Sequence, residues 1–144
     1  MKGLVIYSPQ QPVIGQLAET VYDEILIDKK LATTDEVPED IRDYDIIFVG
    51  FWMDNGAISR ECEDLLRSIE DCNVALFCAM KENPLGDEAR AWMYQNRTLL
   101  PANNMVLGGF LCQTHPDEHG VERPEKSDID GAKLFATEMV YSLH

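Results

Sequence analysis

The residues with chemistry to offer gather behind a short apolar run. Ile46-Ile47-Phe48-Val49 leads into Gly50, Phe51, Trp52, Asp54, Asn55 and Gly56. The run reads as a strand buried on both faces. Its tail sets two large aromatics, a carboxylate and an Asn-Gly turn at the strand's carboxyl end, which in an open α/β sheet is where ligands sit. A large aromatic face is costly to leave in water, so Trp52 covers either a planar ligand or the end of the sheet itself. Asp54 also has two readings. It accepts from a ligand, or it fixes the turn with Asn55 and Gly56.

Other chemistries are poorly served. Cys112, His115 and His119 have the spacing C-x-x-H-x-x-x-H, but a fourth ligand is not evident and Pro116 breaks any helical presentation, so no metal site is expected. There is no Gly-x-Ser-x-Gly elbow, no phosphate loop ending in Lys-Ser/Thr, and no credible Ser/His/Asp set. The chain therefore reads as one that binds rather than one whose side chains act as acid, base or nucleophile.

Composition narrows the partners. The 144 residues suffice for one domain, 1–144, with a real core. Twelve Lys+Arg against 26 Asp+Glu give a net charge of −14. Such a surface repels nucleic acid phosphates and anionic lipid. It either keeps the protein soluble or suits docking to a basic protein surface. The four cysteines, Cys62, Cys72, Cys78 and Cys112, form no C-x-x-C pair and read as free thiols in a reducing compartment. Cys78 and Cys112 fall near the ends of neighbouring strands, where they either approach each other or simply pack. The N-terminal apolar run is too short for a signal peptide and no stretch approaches membrane-spanning length, so cytoplasmic residence is expected.

The elements that must position these residues alternate. Leu4 to Tyr7 reads as a first strand. Val13 to Ile25 reads as a helix, with Ile14, Leu17, Val21 and Ile25 at helical spacing. Ile25-Leu26-Ile27-Asp28 reads as the start of a short second strand, Thr33 to Glu39 as polar connection, and Pro38 to Ile41 as one helical turn with Pro early. Ile46 to Phe51 is the third strand. Ser59 caps a helix whose acids crowd its first turns. Asn73 to Ala79 is the fourth strand, a helix runs from about Asp87 to Leu99, and Met105 to Cys112 is the fifth strand. Trp92 on that helix reads as half core and half surface. Gln113 to Lys126 is a long polar loop, and Ser127 or Asp128 caps a last helix reaching about Tyr141. Five strands alternating with helices imply a three-layer α/β domain, a parallel sheet with helices on both faces. At this length the strand order 2-1-3-4-5 is the natural solution.

Several segments, taken together, resemble the flavodoxin-like family, in particular its small members from anaerobic bacteria. They are Val5-Ile6-Tyr7-Ser8, Tyr44 to Trp52, Val74-Ala75-Leu76-Phe77, Gly108 to Gln113, and His115-Pro116-Asp117 followed by the helix of Ala132 to Phe135. The likeness covers nearly the whole chain, and Gly-Phe-Trp-x-Asp-x-Gly at residues 50–56 is its most specific part. The resemblance implies flavin mononucleotide (FMN) held by three loops. The first cradles the phosphate, the second lays an aromatic on the isoalloxazine ring, and the third wraps the ring's other edge. The family's residues then map onto Ser8, Gln10, Gln11, Val13 and Ile14 for the phosphate, onto Phe51, Trp52, Asp54, Asn55 and Gly56 for the ring, and onto Met80 and Lys81 for the third loop.

The phosphate loop departs from the family. Where the family reads Ser/Thr-x-Thr-Gly-Asn-Thr, this chain reads Ser8-Pro9-Gln10-Gln11-Pro12-Val13-Ile14. A phosphate without basic ligands needs N–H groups, hydroxyls and a helix N-terminus. Pro9 and Pro12 have no N–H, and Ile14 replaces a hydroxyl. The third loop, Ala79 to Pro84, lacks the family's Gly and aromatic, and Thr114 stands where the family favours Gly. Three functions stay open: an FMN-binding electron carrier docking a basic redox partner such as a dedicated reductase, a flavin-free protein-interaction module on the same fold, and a site for unphosphorylated flavin.

Overall fold

The computed structural model describes residues 1–143. Five parallel strands form one sheet: β1 (Lys2–Tyr7), β2 (Asp28–Thr33), β3 (Ile46–Trp52), β4 (Asn73–Met80) and β5 (Met105–Gln113). Their order is β2-β1-β3-β4-β5, the order expected for a five-stranded α/β domain of this length. Four helices, α1 (Pro12–Glu24), α2 (Arg60–Ser68), α3 (Asp87–Arg97) and α4 (Lys126–Tyr141), cover both faces.

Alternation along the central strands feeds two cores. Ile47, Val49, Phe51 and Met53 face α2 and α3, with Leu76, Cys78 and Met80 beside them. Ile46 and Phe48 face α1 and α4, with Ala75, Phe77 and Ala79. On that second face Phe48 meets Phe135 edge-on, with ring centroids 5.8 Å apart.

The second strand lies later than the sequence pattern suggests. Ile25 to Ile27 is connection, with Leu26 94% exposed, and β2 is Asp28-Lys29-Lys30-Leu31-Ala32-Thr33. An edge strand is free to carry lysines, which discourage pairing with other chains; it therefore lacks the apolar run that marks the central strands. Lys29 has a second task. Its ammonium donates to the carbonyls of Tyr22 (2.7 Å) and Ile25 (3.1 Å) at the end of α1, where a cation suits both the open carbonyls and the helix dipole.

Three other boundaries shift. The single helical turn is a 3-10 turn at Ile41–Asp43, just past Pro38. Helix α4 is capped by Glu125, not Ser127 or Asp128: the Glu125 side chain accepts from the third helical N–H while Asp128 accepts from the Glu125 N–H, a reciprocal box. The polar stretch after β5 holds a hairpin of two short strands, β6 (His115–Pro116) and β7 (Glu122–Arg123). Ser59 caps α2 as expected, accepting from the Cys62 N–H at 3.2 Å. No helix among the described residues is long and apolar enough to cross a membrane.

Candidate functional site

The loops following β1, β2, β3, β4 and β5 all stand at the carboxyl edge of the sheet. The loop after β3 is the most rigidly built. Asp54 and Ala57 exchange both backbone hydrogen bonds at 2.9 Å, and Asn55 (φ 49) and Gly56 (φ 86) between them both take positive φ. This is a two-residue hairpin with a type I′ turn, for which Asn-Gly is the preferred pair. Backbone pairing closes the turn, and the Asp54 side chain is left exposed at its base.

Helix α3 clamps this turn from behind. Trp92 packs against Gly56 so closely that a Cβ there would lie 2.5 Å from Trp92 Cγ. Asn96, 7% exposed, donates its amide to the Gly56 carbonyl at 3.0 Å and reaches Met53 Sδ at 3.3 Å. Trp92 thus serves the loop, and Asn96 is a positioning residue that sequence reasoning missed. Nothing in the sequence marks it, because Asn96 stands among other polar residues of α3 and its burial exists only in the folded chain.

The expected ring residues part company at the end of β3. Trp52 is partly buried on the α1/α4 face, in register with Ala79, which is in turn in register with Cys112. Ala79 is fully buried beside Trp52. Phe51, expected to share the site, points the other way and is 1% exposed in the α2/α3 core. Alternation along the strand separates the two aromatics. Met80 is likewise fully buried in that core rather than lining the loops. Lys81 is exposed, and its carbonyl accepts from Gln113 Nε2 at 3.0 Å.

The loop after β4 also holds Glu82, which the sequence pattern did not single out. Glu82 Oε1 accepts the Asn55 N–H at 3.2 Å, joining the third loop to the second. Its other oxygen, Oε2, is buried and has no hydrogen-bond partner.

The first loop runs from Ser8 to Gln11. Ser8 is 3% exposed and donates its N–H to Gly50 O at 3.0 Å. Pro12 takes the first position of α1, where its fixed φ suits the helix. The Val13 and Ile14 side chains are fully buried under the helix, so only their backbones reach the loop. The Ile14 N–H is already given to Gln11 O at 3.0 Å. Among the described residues, the N–H groups of Gln10, Gln11 and Val13 have no acceptor within the chain. Beside this loop, Thr34 follows β2 and donates its N–H to Tyr7 O at 3.0 Å. Its hydroxyl is buried without a partner.

The hairpin after β5 closes the edge. Thr114, 3% exposed, roots it by donating its N–H to Met80 O at 2.8 Å and placing its hydroxyl 2.9 Å from Glu122 Oε1. At the tip, Asp117 accepts from the N–H groups of Val121 (3.0 Å) and His119 (2.8 Å) and from Arg123 Nε (3.2 Å). These bonds, the Val121 N–H foremost, hold its carboxyl below the usual range. Strand β7 packs against α1.

The cysteine and histidine set does not converge. Cys112 is fully buried, His115 and His119 are exposed and face Glu125 and Glu118, and no cluster of three metal-binding side chains forms among the described residues. Cys78 and Cys112 lie on opposite faces of the sheet, since Cys112 is in register with Ala79. All four cysteines are free. Burial pushes the Cys62 thiol up to about 12. It does the same for Cys112, also to about 12, with Asp128 and Glu125 adding to the effect, so neither is a ready nucleophile.

Fold and edge loops together define a flavodoxin domain. The model of the flavodoxin domain family matches residues 4–139, and the chain belongs to that family. Among curated proteins, the flavodoxin-like domain-containing protein BilS of Clostridioides difficile (strain CD3) is 32% identical over 116 residues, covering 78% of this chain and 66% of that protein. The match thus spans just under two thirds of that relative's length. Oxidised flavodoxin 2 from Bacillus cereus superposes with a TM-score of 0.73 at 17% identity, covering 99% of both chains. The Fusobacterium nucleatum flavodoxin bound to flavin mononucleotide superposes with a TM-score of 0.62 at 10% identity, covering 98% of both. At these identities the structural likeness speaks for the fold.

Proposed function

We propose that this protein binds FMN at the carboxyl edge of its sheet and carries electrons for a redox partner. The observation that supports this most directly is at the start of α1, where among the described residues the N–H groups of Gln10, Gln11 and Val13 have no acceptor within the chain, at the same sheet edge where Trp52 ends β3.

The donor set fits the two ends of that ligand. Gln10, Gln11 and Val13 offer N–H groups at the start of α1, where the helix dipole favours an anion. Trp52 offers an aromatic face at the end of β3, and the clamped Asn55-Gly56 turn offers a fixed backbone. When bound, the flavin supplies one- or two-electron transfer. The protein's residues hold it, shield it and set its surroundings.

The partner is a protein with a basic docking surface. Acidic residues flank the site on the α2/α3 side: Asp54, then Glu61 and Glu63 in the first turn of α2, then Asp87 and Glu88 in the first turn of α3. Together with a net charge of −14, these speed encounter with a cation-rich partner at low salt. Cytoplasmic residence is part of the same reading.

A second reading has its own observation. Pro9 and Pro12 lack N–H groups, and the Ile14 N–H is spent within the loop. A phosphate-blind site for riboflavin, or a flavin-free interaction module, follows if three amides are too few. Titration of the purified protein with FMN and riboflavin, read by quenching of flavin fluorescence, separates the readings. Preference for FMN is the expected result. Equal binding of both points to a ring-only site, and binding of neither overturns the flavin reading.

A further inference from the structure

We infer that the free edge of β5 is a docking surface for a second copy of this chain, the two β5 strands pairing antiparallel to join two five-stranded sheets into one. The inference is independent of the flavin reading.

Strand β5 ends the sheet, and among the described residues no strand pairs with its far side. The Thr114 N–H is given to Met80 O at 2.8 Å, and the register from Ala75 opposite Gly108 to Met80 opposite Gln113 is unbroken. Alternation then turns the backbone groups of Gly108, Phe110 and Cys112 toward β4 and those of Gly109 and Leu111 away from it. The outward groups can be reached. Where β4 is buried along nearly its whole length, Gly109 is exposed and Leu111 only half-buried. Beside the start of the strand Met105 is 61% exposed, and Tyr94, 68% exposed, lines a shallow depression together with Val106.

The two edges of the sheet differ. Strand β2 carries Asp28, Lys29 and Lys30 among its six residues, charges of the kind that keep edge strands from pairing. Met105–Gln113 carries no charge and no proline. Its one irregularity is the register shift at Val74/Ala75, which lies near the start and leaves Gly108 to Gln113 regular. An open row of N–H and C=O groups takes an extended strand. Charge then decides whose strand it is. With −14 on each chain, two copies repel wherever their acids meet, so an uncharged strand is where they approach most easily. A basic partner finds no carboxylate on it to bind. A two-fold axis makes the pair antiparallel and satisfies both edges in one contact. The β2 lysines then stand at both outer edges of the joined sheet, so assembly stops at two.

The experiment is sedimentation equilibrium of the full chain, with amide hydrogen exchange at low and high protein concentration, on the wild type and on Gly109→Lys. A Cβ at position 109 meets the flexible end of Met93 at 3.2 Å, which can move aside. The wild type is expected to approach twice its 16.3 kDa mass as concentration rises. Exchange at the Gly109 and Leu111 amides should slow by at least about tenfold, while Gly108, Phe110 and Cys112 stay within about twofold. Gly109→Lys, with its fold checked by circular dichroism, is expected to stay monomeric. If that variant does not fold, the alternating protection in the wild type decides alone. A single monomer mass up to about 1 mM overturns the inference. So does a dimer whose protection falls elsewhere, or a folded Gly109→Lys that dimerises as well as the wild type.

Discussion

Trp92 lies against Gly56. The indole of α3 fills the space where a Cβ would stand on the positive-φ residue of the β3–α2 turn. Position 56 therefore excludes every other residue twice over, by conformation and by contact. Gly56→Ala is expected to cost about 2–4 kcal/mol, combining the left-handed backbone penalty with overpacking. Urea unfolding gives the value. In Trp92→Ala the contact is gone, so Gly56→Ala in that background should cost only the backbone part, about 1 kcal/mol. Equal costs in both backgrounds would mean that the indole does not bear on the turn.

Asn96 holds the other half of the turn. Its amide is buried and donates to the Gly56 carbonyl at 3.0 Å. Asn96→Ala leaves that carbonyl without its partner and is expected to destabilise by about 1–2 kcal/mol. The loss should be local as well as global, because the bond ties a loop to a helix. Hydrogen exchange at Ala57, whose N–H closes the hairpin on Asp54, should quicken by more than the change in global stability explains. Exchange that rises uniformly across the sheet would show that Asn96 serves the core and not the turn.

The buried thiols set an alkaline limit. Burial raises Cys62 from 9.0 to about 12 in the folded chain, so above pH 9 the unfolded chain loses a proton that the folded chain keeps. Fewer protons on the unfolded state means that stability falls as pH rises. The fall attributable to Cys62 spans the interval between those two values. Urea midpoints at pH 8 and pH 10.5 should therefore separate more in the wild type than in Cys62→Ala. The variant is less stable at pH 8, since it leaves a small cavity, but its pH slope should be shallower. Identical slopes would contradict a neutral buried thiol.

The central strands could be read from the sequence because they are buried on both faces and announce themselves as apolar runs. Strand β2 could not, because an edge strand carrying Lys29 and Lys30 has no such run and its register is imposed by pairing with β1. The Asn55-Gly56 turn could be read from its two residues; its clamp could not, since Trp92 and Asn96 lie far along the chain and meet the turn only in the folded state. Phe51 and Trp52 show the limit most clearly. Adjacent aromatics look equivalent in a sequence, yet the pleat sends one to each face, and only Trp52 is left at the mouth. Glu82 carries no local pattern at all. It becomes visible only in the folded chain, through the Asn55 N–H that it accepts.

Pro12 tests the phosphate end. Restoring a family-like loop by sequence alone would suggest Pro12→Gly together with Ile14→Thr, but Ile14 is fully buried in the α1/α4 core, and a hydroxyl there would cost stability without reaching the loop. Pro12→Gly is the cleaner change. It adds one N–H at the first position of α1, beside those of Gln11 and Val13, and gives up the proline's preset φ. Unliganded stability should drop by about 1 kcal/mol. FMN affinity should rise by about tenfold or more, the size of one charge-assisted hydrogen bond, while riboflavin affinity stays within about twofold. The ratio of the two affinities is the quantity to follow, because any general loosening of the loop moves both ligands together. An unchanged ratio would mean that no phosphate sits at the start of α1, and the site would be one that grips the ring alone.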